Sequence, residues 1–381
     1  MFFLNLPDSM EKLCSSGIIY EPHLCSRVRF PRSTCQACVQ GCPGGAISWD
    51  KTLRINTDKC SDCGICISRC PNGVFWSQRH EDSVIAQEIG RLLSGNDNRS
   101  IVFGCSQSGQ NGNNTIILPC IGRLTENLLL APFTFGASRV EIRWPECEGC
   151  SYEKCLSHLN LVLFFGSKLA AVIGKEDGCI QVNKIGKYLG PQSLPDRLSR
   201  RDLFHKFRVE ATQTVAAFLP EFGNSHQNSP WAQFVGAKRA YLLKLLRALP
   251  GYTATSIQRD DLPVADIEIN HSCVGCPVCT TLCPTGALGR IEKSDGFDIY
   301  FRPDICTGCK ICQEACLFQA ISLSPRIELL NLVSGKNSQL IHLQRKNCKE
   351  CSSEFLSIEE NACPTCRQDR GDIVSSLKGI A

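Results

Sequence analysis

The chain is 381 residues long with a formal net charge of +4, 43% hydrophobic and 20% charged residues, the composition of a globular protein large enough for two or three domains. Its 27 cysteines are far above ordinary usage. They fall in metal-ligand spacings, which excludes a secreted disulfide scaffold and predicts a reducing, cytoplasmic compartment where thiolates stay available.

Met1 to Pro7 is expected to be too short and too uncharged for a signal peptide, and residues 1–30 read as a polar lead-in holding Cys14 and Cys25. Cys60, Cys63, Cys66 and Cys70, followed by Pro71, then show the spacing C-x2-C-x2-C-x3-C. In that pattern three thiolates grip a 4Fe-4S cubane from a tight loop, and the fourth, at the start of a short helix, reaches across to a neighbouring cubane. Upstream, Cys35, Cys38 and Cys42 repeat the pattern with Arg32 where the leading cysteine belongs. The crossing rule gathers Cys42, Cys60, Cys63 and Cys66 on one cubane and leaves Cys35, Cys38 and Cys70 short of a ligand. Cys25 is placed there, because the nine residues before Cys35 can fold back over the site. The alternative is a three-iron cluster or an aquated fourth iron with Cys25 a free thiol, and Cys14 is a second substitute. Residues 45–49 and 53–56 predict a hairpin between the two halves.

Residues 99–105 read as a buried strand ending at Cys105, 109–114 as a loop, 115–120 as a strand ending at Cys120, 126–135 as a helix and 139–144 as a strand. This alternation predicts a small α/β domain with a parallel sheet, whose sites lie at the carboxyl ends of its strands. Cys105, Cys120, Cys147, Cys150 and Cys155 would converge there. Cys120 to Leu124, the helix with Phe135-Gly136-Ala137 and the later cysteine-rich turn together resemble the delta subunit of methyl-viologen-reducing hydrogenases. The resemblance implies a 2Fe-2S cluster that passes electrons to heterodisulfide reductase. Where that family has an early cysteine pair, only Cys105 stands here. Three readings stay open: a 2Fe-2S or other metal site, a Cys147/Cys150 dithiol at a helix N-terminus that lowers its thiol pKa, and buried structural thiols. Cys179 reads as core. The apolar run 159–173, broken by Lys168, predicts a buried helix rather than a membrane span.

Residues 183–265 hold no metal ligands. Ser199-Arg200-Arg201-Asp202 reads as a capped helix start rather than an export signal, and Pro220 to Pro230 as a loop. Gly236 to Arg247 predicts a basic amphipathic helix with a solvated face, or alternatively a contact with a partner or a membrane surface.

A complete version of the early pattern follows. Cys273, Cys276, Cys279 and Cys283, with Pro284, are succeeded by Cys306, Cys309, Cys312 and Cys316. Crossing places Cys273, Cys276, Cys279 and Cys316 on one cubane and Cys283, Cys306, Cys309 and Cys312 on the other. The segments 286–291 and 297–301 predict the intervening hairpin. Both modules resemble the two-cluster bacterial ferredoxin family, with Leu317 replacing the second proline of the family pattern. In the tail, Cys348-x2-Cys351 and Cys363-x2-Cys366, separated by eleven residues, form two knuckles around a tetrahedral ion, and the flanking strand 340–343 completes a resemblance to zinc ribbons. Zinc is expected, with a rubredoxin-like iron as the alternative.

The predicted fold is α+β and multidomain, in five segments. They are an N-terminal dicluster module (1–80), a cysteine-rich α/β domain (81–182), a helical connector (183–265), a second dicluster module (266–325) and a zinc-ribbon-like tail (326–381). Four cubanes and one zinc, each net −2 with its thiolates, bring the loaded chain to about −6, so the bare charge is no nucleic-acid signal. A nucleic-acid-associated protein using the tail and the basic helix is the least favoured reading. No nucleotide fingerprint or acid-base constellation stands out. The expectation is a cytoplasmic electron-transfer subunit working with hydrogenase, heterodisulfide-reductase-like or other oxidoreductase partners. The rival is a thiol-disulfide oxidoreductase acting at Cys147 and Cys150 and fed by the two modules.

Overall fold

The computed structural model describes residues 17–77, 81–95, 99–106, 112–187, 235–249, 251–258, 262–324 and 326–366. Cys14, the Ser199 helix start and the Pro220 to Pro230 loop lie outside these residues, as does part of the loop at 109–114.

Ile18–Tyr20 (β1) pairs antiparallel with Phe75–Ser77 (β4), and between them runs the hairpin of Ile47–Asp50 (β2) and Thr52–Ile55 (β3). The lead-in is therefore structural from Ile18 onward, a correction to its reading as a polar preamble. Ile18, Leu24, Ile47, Leu53, Val74 and Phe75 bury one another in a small apolar cluster beneath the cysteine loops.

Ser100–Cys105 (β5), Thr115–Leu118 (β6), Arg139–Glu146 (β7) and Ile180–Lys187 (β8) form the expected parallel sheet in the order β6-β5-β7-β8. β5 is buried from its second residue to its last, as a central strand covered on both faces must be. The helices Asp82–Ser94 (α1), Glu126–Thr134 (α2) and Leu156–Val172 (α3) join this domain. Thr125 caps α2 by accepting a hydrogen bond from the Leu128 amide at 3.3 Å, and α2 is buried from Glu126 to Phe133 against α1 and α3.

One expectation needs correction here. With its preceding turn, α3 spans the 20 residues Glu153–Val172, long and apolar enough to cross a membrane, although 44% of that window is buried in the fold. Its reading as a core helix thus rests on the packing of Leu159, Val162, Phe165 and Leu169 and not on shortness. Cys179 is half-buried at the entrance to β8 and packs with Ile180 against the core of the sheet domain, while Val182 further along the strand is 45% exposed.

Ala237–Ala248 (α4) is the basic helix, and its basic first turn points inward. Arg239 is 4% exposed and the Lys238 side chain 7%, while Leu242, Leu243, Leu245 and Leu246 are buried along the same helix. The helix packs against α2 with this face, while Ala237, Ala240, Lys244, Arg247 and Ala248 are exposed, so it has the expected solvated face and only its first-turn cations turn inward. Ser256–Ile257 (β9) then pairs with Ile327–Glu328 (β14).

The first module's frame recurs in the second. Ile267–Ile269 (β10) pairs antiparallel with Ile321–Leu323 (β13) around the hairpin Leu288–Lys293 (β11) and Gly296–Phe301 (β12). Here the hairpin continues into the tail, because Ser338–Asn347 (β15) pairs with β12 and Glu354–Ser357 (β16) with β15, giving a four-stranded sheet. Leu343, fully buried, ties the tail into the apolar cluster of the second module.

Candidate metal centres

Every described cysteine is a free thiol, and the fold gathers all of them but Cys179 in six places. Cys42, Cys60, Cys63 and Cys66 line one enclosed cavity with Ile18, Ala46 and Ile47. Burial, and then the sulfurs of Cys63, Cys60, Cys38 and Cys42, push the Cys66 thiol well up. Cys283, Cys306, Cys309 and Cys312 line a matching cavity in the second module. There burial and the neighbouring sulfurs push Cys306 up to about 12 and Cys309 up to about 11. Cys279 is pushed up to about 12 by burial and then by Cys273, Cys276 and Cys316. The crossing rule's partners are thus brought together in each case.

The incomplete set behaves like the others. Burial, then Cys70, Cys35 and Cys25, push Cys38 up to about 12, so Cys25 stands beside the three cysteines that lack a partner. It does so because Pro22–Leu24 and Ser26–Arg29 each form one helical turn, with Cys25 at the joint between them. Three of the ligands that cross between halves share a further feature. The Ala46, Val74 and Ala320 amides donate to the sulfurs four residues earlier, Cys42 at 3.2 Å, Cys70 at 3.4 Å and Cys316 at 3.3 Å. Such donors stabilise sulfur that carries negative charge. A buried thiol that resists ionising alone becomes a good ligand once a cation supplies the missing charge. Four such sulfurs around an enclosed cavity, with amides aimed at them, fit a 4Fe-4S cubane.

In the α/β domain, Cys105 ends β5, Cys120 follows β6, Cys147 follows β7 and Cys155 precedes α3, so the carboxyl edge of the sheet collects them as expected. The Cys120 and Cys155 sulfurs are 3.7 Å apart and both buried. Gly122 is needed for this approach, since a Cβ on it would lie 2.5 Å from the Cys155 Cβ. The pair shares a proton: the hydrogen bond from Cys120 holds the Cys155 thiol down, and the same bond raises Cys120. Burial, then Cys155, Cys150 and Cys105, push Cys147 up to about 12. Cys147 and Cys150 lie in the turn just ahead of the helical turn Glu153–Cys155 that runs into α3, where the dithiol reading places them, but the Cys147 thiol is raised rather than lowered. Tyr152 lies against Cys63 of the first module and Cys120 of the sheet edge, linking the two sites.

The tail differs in kind. The Cys348, Cys351, Cys363 and Cys366 sulfurs all lie within 4.8 Å of one another, the only such group among the described residues. Thiolates 2.3 Å from one tetrahedral ion sit about 3.8 Å apart, so this is a single-ion geometry, whereas a cubane must hold its ligands further out. The Cys363 amide donates to Cys348 at 3.2 Å and brings that thiol down to about 6, prepared for a cation.

The two modules meet directly. Asn72 donates to the Leu24 carbonyl at 2.9 Å and to Ser26 Oγ at 3.0 Å, and accepts from Thr307 of the second module at 2.5 Å. Thr34 donates to Glu314 through its amide at 3.3 Å and through its hydroxyl, and Arg29 donates to the Thr281 carbonyl at 3.1 Å. Between the modules lies a cavity of about 330 Å³, lined by Cys35 and Cys309 among others. None of Asn72, Thr307 or Glu314 was singled out by sequence, since ordinary polar residues beside cysteine motifs carry no pattern.

Comparison with known proteins agrees with the cysteine geometry. A 4Fe-4S dicluster domain family model matches twice, at residues 33–74 and 272–320. An uncharacterized ferredoxin of Methanocaldococcus jannaschii is 33% identical over 25% of this chain and 54% of its own length. The B subunit of the anaerobic dimethyl sulfoxide reductase of Haemophilus influenzae is 43% identical over 23% of this chain and 45% of its own, and the hydrogenase-2 operon protein HybA of Escherichia coli 30% identical over 17% and 20%. The chain spans about half the length of the first of these relatives, and no solved structure matches it significantly. The chain thus carries the 4Fe-4S dicluster domain at two places, homologous to ferredoxins and to the B subunit of anaerobic dimethyl sulfoxide reductase.

Proposed function

We propose that the chain is a multi-cluster electron-transfer protein, a subunit or partner of a larger cytoplasmic oxidoreductase, in which four 4Fe-4S sites stand in series. The observation that carries this reading is the junction. Asn72, two residues after Cys70, bonds Thr307, which lies between Cys306 and Cys309, so the inner ligand sets of the two modules face each other. The order runs from Cys42/Cys60/Cys63/Cys66 through Cys25/Cys35/Cys38/Cys70 and Cys283/Cys306/Cys309/Cys312 to Cys273/Cys276/Cys279/Cys316. Bound clusters supply one-electron storage. The chain holds the sulfurs, aims amides at them, keeps water out with Ile18, Ile47, Phe297 and Phe301, and sets their spacing through the junction.

The sheet-edge cysteines extend the series beyond Cys63. A 2Fe-2S centre is supported by the close Cys120/Cys155 pair with Cys147 and Cys105 nearby, and by the resemblance to the hydrogenase delta subunit. Zinc in the tail is supported by its four-thiolate, single-ion geometry, and there it would brace the sheet it shares with the second module. Partners of hydrogenase, heterodisulfide-reductase or dimethyl sulfoxide reductase type follow by analogy with the relatives. The test is iron, acid-labile sulfide and zinc per chain in anaerobically purified protein, with EPR before and after dithionite. About 16 iron and one zinc are expected from the modules and tail, and about 18 iron with the middle centre. Fewer than about eight iron would overturn the series.

A further inference from the structure

We propose that Lys238 and Arg239, adjacent on the first turn of α4, raise the reduction potentials of the two inner clusters, each cation serving a different module. The inference deepens the proposed function and rests on its placement of clusters at the two inner cysteine sets.

Neighbouring residues on a helix diverge by about 100°, so two consecutive cations at a junction can face opposite sides. Lys238 donates from Nζ to the Ser68 carbonyl at 2.8 Å, two residues before Cys70, and pairs with Glu126 at 3.3 Å. Arg239 donates to the Pro263 carbonyl on the other side. The carbonyls flanking Pro263, those of Leu262 and Val264, press on Gly308 in the loop between Cys306 and Cys309, at 2.7 and 2.8 Å from where its Cβ would stand. The charges facing Arg239 are Glu126, Cys306 and Asp304, and those facing Lys238 include Glu126 and Cys70. The turn is fixed in place: the Lys238 carbonyl accepts from Asn127 at 3.0 Å, and a Cβ on Gly236 would stand 2.5 Å from the Asn72 carbonyl.

Both side chains are almost completely buried, so solvent screens them little. Burying a cation is costly unless negative charge answers it. Asp304 is already shared with Arg302 and Arg247, and Arg239 Nη1 has no hydrogen-bond partner among the described residues. Glu126 is one carboxylate facing two buried cations, and the remaining negative charge is that of the cluster thiolates. A neutral donor such as glutamine would anchor the Pro263 and Ser68 carbonyls equally well, so anchoring alone does not require cations. Reduction adds one electron to a cluster and hence one negative charge, which a fixed buried cation favours. The inner sites therefore hold an electron more readily than the outer ones.

The test is an EPR-monitored redox titration of the full chain, with the two inner signals assigned by their loss in Cys70→Ser and Cys309→Ser. Arg239→Gln should lower the reduced-to-oxidised ratio of the second module's inner cluster about tenfold at fixed potential, or about 59 mV for one electron. Lys238→Gln should do the same in the first module, Arg239→Lys should keep the original value, and the outer clusters should stay put. Iron-replete Arg239→Gln and Lys238→Gln proteins with unmoved inner potentials would overturn the proposal, as would equal shifts in all four clusters or an Arg239→Lys protein that behaves like Arg239→Gln. If Arg239→Gln fails to load iron, the Lys238→Gln titration decides alone. Loss of the inner clusters from the unmodified protein would instead remove the reading beneath the proposal, and the proposal with it.

Discussion

The two dicluster modules share a frame, yet they place glycine differently in the same loop. In the first module the left-handed positions after Cys60 are Asp62, with φ 55°, and Gly64, with φ 72°. In the second module the matching positions are Gly308, with φ 60°, and Lys310, with φ 62°. Each module thus tolerates one non-glycine residue in a conformation that costs about 1–2 kcal/mol, and keeps glycine at the other position. The reason lies in what packs outside. Gly64 abuts Arg123 of the α/β domain, whose Cδ would stand 2.3 Å from its Cβ, while Gly308 abuts the Leu262 and Val264 carbonyls. Glycine marks the side of each loop that docks: the first module docks on the sheet domain there, and the second on the last residues of the connector.

The largest expected difference between the modules is in iron. In the second module Cys279→Ser removes a ligand of a fully cysteine-bound site and should cost about four iron per chain. Cys25→Ser in the first module should cost about one, with an oxidised-state three-iron EPR signal, because Cys25 comes from outside the core spacing and can leave while the other three sulfurs stay. Equal losses from both variants would mean that Cys25 is held as firmly as a ligand within the motif. No iron loss from Cys25→Ser would mean that it is not a ligand at all.

Next in size are the glycines. Gly308→Ala meets two backbone carbonyls that cannot move aside, adding about 1–3 kcal/mol of overpacking to the left-handed penalty. Gly64→Ala meets only the side chain of Arg123, which can shift at the expense of its 2.7 Å ion pair with Asp82. Gly308→Ala should therefore speed the loss of visible iron-sulfur absorbance in denaturant more than Gly64→Ala. The reverse ranking would show that the Arg123–Asp82 pair is the more rigid wall.

Which cysteines the fold gathers was legible in the sequence because the cysteine spacing is a local property, set by how three thiolates wrap one cubane. That Cys25 stands beside Cys35 and Cys38 was reachable by elimination and loop length. The order of the sites was not legible, since Asn72 and Thr307 are 235 residues apart and neither belongs to a ligand pattern. The burial of Lys238 and Arg239 was not legible for a related reason. Two adjacent cations at a helix start look solvated in one dimension, and only the fold shows both of them turned into the junction. The sheet-edge site was half legible: alternating strands and helices located it, but the direction of the Cys147 shift depends on burial that no spacing encodes.

The smallest expected effect concerns another contrast between the modules, the extension of the second hairpin into the tail. His342 on β15 lies opposite Asp298 on β12, with Nδ1 2.6 Å from the carboxylate, and its Nε2 is 3.4 Å from Asp295. The bond to Asp298, with Asp295 adding to it, raises His342 above its ordinary 6.5. Burial works against the Asp298 carboxylate, but bonds from His342 and Tyr300, with Lys293 beside it, hold its pKa below the usual range. A raised histidine contributes stability that is fully present below its unfolded value and lost as pH rises through its folded one. A depressed carboxylate contributes stability that is present above its unfolded value and lost as pH falls through its folded one. The β12–β15 pairing should therefore be firmest between the two and loosen on the alkaline side through His342 alone. Release of the tail ion to a metal chelator, followed against pH, should accelerate as pH rises through the raised His342 value, and His342→Gln should flatten that rise. A rise that survives His342→Gln would assign it to the ligand thiolates and leave the sheet extension independent of the His342–Asp298 pair.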